Sequence, residues 1–160
     1  MAKKSSGSTP KSKPKPAAEH WGEQPAEHDY PAASAYLSLL CPAAEVKRLV
    51  TALRSAPLEH GKAKDLLRAS SLALLPPENA HVAADLDKVK RGTPLSPVLL
   101  VRGNLGSGVP LVIADGYHRV CASYHLDENA DIPFHLVDLA HSRTRPVSRT
   151  RSSRGPSTGQ

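Results

Sequence analysis

The chain has 160 residues, 39% of them hydrophobic, with 15 prolines and a formal net charge of +6. Residues 1–16 carry five lysines and residues 141–160 five arginines, neither with an acid, whereas residues 17–140 hold 11 Lys+Arg against 15 Asp+Glu, a net of −4. The basicity belongs to the two ends, so the body is a poor candidate for a duplex-binding face, and its length suits one domain with a real core.

Met1–Pro16 is Lys/Ser/Pro-rich and too polar to fold alone, so it reads as a disordered arm. The arm continues, acidic and irregular, through residue 31, with Trp21 its one large apolar residue and a candidate anchor onto the body. A short helix is expected over Ala32–Leu40. Pro42 suits the first turn of a second helix, in which Val46, Leu49, Val50 and Leu53 form a stripe that ends at Pro57. A third helix around Lys62–Ala69 turns Ala63, Leu66 and Leu67 inward. Residues 32–71 thus read as a helical extension with no chemical constellation of its own.

Leu72–Leu75 is expected as a short strand closed by Pro76 and Pro77. Asn79 suits the N-cap of a helix whose face carries Val82, Leu86 and Val89, stopped by Gly92 and Pro94. Pro97–Val101 is a continuously apolar strand, and Gly103–Pro110 returns the chain as a hairpin to a second strand at 111–114. A helix over 117–126, an acidic turn at Asp127–Asp131 and a last strand at Ile132–Asp138 follow, with Pro133 pointing to an edge position. Residues 140–160 read as a disordered Arg/Ser-rich tail. Cys41 and Cys121 sit in apolar helical surroundings and read as reduced core thiols. No apolar run follows the basic start and none is long enough to cross a bilayer, so a cytoplasmic protein without membrane contact is expected.

The chemistry concentrates in the stretch LVIADGYHRVCASYHL, residues 111–126. A buried strand runs through Asp115 and Gly116 straight into a helix carrying Tyr117, Val120, Cys121 and Tyr124 on one face. A glycine at such a turn lets the backbone approach a ligand, the amides opening a helix attract anions, and His118 and Arg119 can donate to phosphate. Gly116, Tyr117, His118 and Arg119 are therefore the candidate phosphate-binding residues. Asp115 either orients Arg119 or a metal-bound water, or is simply the acid favoured at a helix start. His81 joins the candidates if its helix start converges on the same ligand, and Glu78 is a candidate general base. His118, Cys121 and His125 at i, i+3 and i+7 invite a zinc reading, but structural zinc shows a fuller ligand set, so no metal site is assigned.

The run KVKRG…LSPVLLVRG…PLVIADGYHRVCASYHL…DIPFHLV resembles the ParB/sulfiredoxin-like superfamily over roughly residues 72–139. The resemblance implies an α+β fold, a small mixed sheet of about four strands flanked by helices, with the glycine, histidine and arginine of the Asp115–Arg119 motif cradling phosphates. Two departures narrow it. Sulfiredoxins carry a nucleophilic cysteine where this chain has Tyr117, and chromosome-partitioning ParB proteins carry a double arginine where this chain has His118 and Arg119. The expected function is binding of a nucleotide or phosphorylated small molecule, such as a nucleoside di- or triphosphate with magnesium, with phosphoryl transfer or nucleotide hydrolysis as the fitting chemistry. The alternative is a non-enzymatic nucleotide-responsive or DNA-associated accessory protein, its basic tails making weak, salt-sensitive nucleic-acid contacts. A ParB-like nuclease ranks third, because the body is acidic and lacks an evident metal cluster.

Overall fold

The computed structural model describes residues 21–139. The two basic tails, and the expectations placed on them, lie outside these residues. Among the described residues the helices are α1 (Asp29–Leu37), α2 (Ala43–Ser55), α3 (Ala63–Ser70), α4 (Ala80–Lys90) and α5 (Tyr117–Leu126). The strands are β1 (Leu58–Lys62), β2 (Val98–Arg102), β3 (Val112–Asp115) and β4 (Asp131–Asp138). They form one mixed sheet in the order β1-β4-β2-β3, which makes an α+β fold. β4 runs antiparallel to β1 and parallel to β2, and β2 and β3 form the antiparallel hairpin.

Side-chain alternation along β2 explains why the sheet is covered twice. Val98 and Leu100 face one core with α3, α4 and α5, while Leu99 and Val101 face a second core with α1 and α2. All four are buried, which is why β2 reads as an unbroken apolar run. Leu49 and Leu53 of α2 are fully buried in the second core, and Val82, Val120 and Ile132 in the first. Helices α1 and α2 are therefore one of the three layers of the sandwich. Trp21 bridges to Leu95 and packs against the first core, and the Gly22 amide donates to the Leu95 carbonyl at 2.8 Å, so the arm is pinned there.

Three local expectations are corrected, and one strand falls within the stretch read as a helical extension. Leu72–Leu75 is not a strand: it lies along α5, with the Tyr117 hydroxyl donating to the Ala73 carbonyl and the His125 ring bonded to the Leu75 carbonyl at 2.7 Å. A strand instead forms at Leu58–Lys62, where Gly61 leaves room for the Phe134 ring, 3.0 Å from where a Cβ would stand. Its polar, half-exposed residues give no alternation to read, because only pairing with β4 makes it a strand. Pro133 is not on an edge strand, since β4 lies between β1 and β2. The parallel ladder to β2 begins only at Phe134, one residue beyond the proline, so the missing N–H costs that ladder nothing. Helix α1 starts at Asp29 rather than Ala32, because the Asp29 carboxylate accepts from the Ala26 amide at 2.8 Å and Pro31 fits the first turn.

No helix among the described residues is long and apolar enough to cross a membrane.

Candidate functional site

The hairpin delivers the Asp-Gly turn to the free edge of the sheet. The β2–β3 register shifts between Leu99, opposite Asp115, and Leu100, opposite Ile113, so Ala114 is an extra residue in a bulge. Such a bulge re-aims the residues that follow it. Gly116 then takes φ +101°, and a Cβ there would stand 2.9 Å from Arg119 Nη2 and 3.0 Å from Val98 Cγ2. The glycine thus makes room for the protein's own arginine; no ligand needs to approach on that side.

Arg119 is an interior residue. Its side chain is 12% exposed and forms a buried ionic cluster with Asp29, 2% exposed, and Asp115, 21% exposed. Nη1 donates to Asp29 Oδ1 at 3.2 Å and to the Ser96 hydroxyl at 2.8 Å, while Nη2 donates to Asp115 Oδ2 at 2.6 Å. Among the described residues the Arg119 Nε is buried without a partner. The guanidinium is thereby committed to binding α1 and β3 together, and the expectation of a free phosphate-gripping side chain does not match this arrangement.

The two carboxyls of the cluster titrate apart. Burial works against ionisation of Asp29, but the Arg119 charge and hydrogen bonds from Ser96, the Ala26 amide and Arg119 outweigh it and hold the carboxyl below its ordinary value. For Asp115 burial wins, aided by the neighbouring Asp29 charge, and its carboxyl is pushed up despite Arg119. Asp115 is thus the readily protonated member.

Asp115, Gly116, Tyr117 and His118 line a cleft of about 420 Å³ together with Ala32, Tyr36 and Leu72. Helix α5 opens there on Gly116, which has no side chain to cap the first-turn amides. Helix α4 starts beside it, and the rings of His81 and His118 stand 4.7 Å apart between centroids. The His118 pKa is lowered, first by burial and then by the His81 charge, against the opposing charges of Asp85 and Asp115. At neutral pH His118 is a neutral imidazole, able to donate one N–H.

His81 meets the His118 ring, but it is exposed and is not among the residues lining the cleft. Glu78 is exposed on the loop before α4 and is not among the residues lining the cleft. His118, Cys121 and His125 do not converge: His118 meets His81, Cys121 is fully buried, and His125 bonds the Leu75 carbonyl. Among the described residues no three His, Cys, Asp or Glu side chains come together as a metal site. Both cysteines are free thiols.

Asp29 and Ser96 were the residues missed. A signal for Asp29 existed: it heads the helical stripe Asp29–Ala33–Leu37, and a carboxylate on a buried face demands a cation. Nothing local marks Ser96.

Compared with known protein families, with curated proteins and with solved structures, the chain matches none.

Proposed function

We propose that the protein is a ParB/sulfiredoxin-like α+β protein that binds a nucleotide or phosphorylated small molecule in the Asp115–His118 cleft. The observation that carries this reading is an uncapped helix start opening on a cleft, with the His118 ring in its wall and the His81 ring 4.7 Å from that ring. Phosphate is satisfied by backbone N–H groups at a helix N-terminus and by positioned imidazole donors. In this reading Tyr117, His118 and Arg119 offer their amides, and His118 and His81 their rings. The Arg119 side chain is a positioning group that fixes the Gly116 turn.

Asp115 is the one carboxylate among the cleft-lining residues. Ionised, it repels a bare phosphate; with a magnesium-bound phosphate it becomes attractive, since magnesium takes oxygen ligands and bridges to phosphates. Phosphoryl transfer or hydrolysis, if the protein performs either, would place Asp115 at the metal.

The test is thermal unfolding of the full chain against inorganic phosphate, ATP, ADP, CTP and GTP, each with and without magnesium. A ligand at 100 times its Kd stabilises by about 2.7 kcal/mol, a readily measured rise in Tm. The expected rise is lost in His118→Ala. Absence of any rise with every phosphate compound, at millimolar concentration, overturns the reading.

A further inference from the structure

We propose that the ligand of this cleft is a phosphate ester whose other half is an apolar chain, laid along the outer edge of β3. The inference rests on the phosphate reading above and narrows it. A second cavity of about 400 Å³ adjoins the cleft among the described residues. The two share Tyr36, Leu72 and Ile113 as walls, so they lie side by side, and an occupant that spans both makes them one trough with a polar end at α5. Beyond the shared residues its walls are largely aliphatic, with Leu40, Val109 and Leu139 left 55%, 40% and 38% exposed. Large apolar side chains exposed together along one trough mark a binding surface.

The polar groups of this second cavity are largely spent. The Ser70 hydroxyl donates to the Leu67 carbonyl at 3.0 Å and the Cys41 thiol to the Leu37 carbonyl at 3.5 Å. The Tyr36 hydroxyl alone is too little to read the donor and acceptor edge of a nucleobase, which favours an aliphatic body. An added β-strand, from a peptide or a second copy, fits less well. The bulge at Ala114 interrupts the β3 ladder, and the Leu111 amide is already taken by the Ala69 carbonyl at 2.9 Å.

Calorimetric titration of the full chain with methyl, butyl and octyl phosphate, below micellar concentrations and with magnesium present, tests the proposal. Affinity is expected to rise about fourfold per added methylene until the trough is filled. Octyl glucoside, with the same chain and no phosphate, is expected to bind far more weakly than octyl phosphate. The exposed double substitution Leu40→Gln with Leu139→Gln should flatten the series while leaving methyl phosphate affinity unchanged. A flat series in the parent protein, with phosphate binding retained, overturns the apolar-chain inference and leaves the phosphate reading standing. No binding by any phosphate overturns both. Octyl glucoside binding as tightly as octyl phosphate, or a dimer in sedimentation that Leu40→Gln dissociates, also overturns it.

Discussion

Helices α4 and α5 begin next to each other, their first-turn histidines almost in contact, yet the two starts are built differently. Helix α4 opens on Asn79, whose side-chain oxygen accepts from the amides of His81 and Val82 at 3.0 and 3.3 Å. Helix α5 opens on Gly116, which has nothing to offer its amides. The difference follows from Arg119. With the guanidinium packed against the turn and φ at +101°, no residue with a side chain fits without displacement, so the helix that seats the arginine loses its cap. A helix start that satisfies itself is complete. One that does not leaves donors for something else, and here it leaves them facing a cleft.

Removing the arginine should break this contrast most severely. Arg119→Ala leaves Asp29 and Asp115 buried beside each other without their cation, and such a loss costs about 3–5 kcal/mol. Urea unfolding should show it as a large fall in midpoint, with Arg119→Lys only partly restoring it, because a single ammonium cannot reproduce the planar fork. A cost under about 1 kcal/mol would mean that the ionic cluster does not hold α1 to the sheet.

The two caps themselves come next. Gly116→Ala, forced into a strained backbone conformation against Val98 and Arg119, should cost about 2 kcal/mol or more. Asn79→Ala removes only a cap, about 1 kcal/mol. Phosphate binding, if present, should survive the Asn79 change, and an Asn79 variant that loses it would shift the site toward α4.

The smallest effect is a pH dependence. His118 is lowered from its ordinary value of 6.5, so the unfolded chain takes up the proton first as pH falls. Stability should therefore be intact above pH 6.5 and decline between 6.5 and the lower folded value. The groups acting on the ring are His81 and Asp85 from α4 and Asp115 and Arg119 beside it. His118→Gln should flatten the urea midpoint across that window, and an unchanged slope would assign the effect to another histidine.

Most elements that carry their own pattern were legible. The stripe of Val46, Leu49 and Leu53, the Asn79 cap and the apolar run of β2 each report a local requirement, and each was found where expected. Elements without such a pattern were not. Leu58–Lys62 is a strand only because β4 lies beside it. Leu72–Leu75 has strand-like composition, yet α5 side chains hold its carbonyls outside the sheet. At the site, the Asp-Gly turn leading from a strand into a helix could be anticipated. The pairing of Arg119 with Asp115 was within local reach, but its burial against Asp29 was not, because Asp29 lies 90 residues away in a stretch read as an irregular arm.

By itself the sequence determined where the patterned helices and the apolar strands fall, which faces they bury, and that a strand passes through Gly116 into a helix. These are short-range properties, set by side-chain periodicity and backbone stereochemistry within a few residues. Tertiary structure alone decided that α1 and α2 close the second face of the sheet and that Arg119 is spent on Asp29, Asp115 and Ser96. Charge pairing in a buried site depends on which groups the fold brings within hydrogen-bond distance, and distance along the chain carries no record of it.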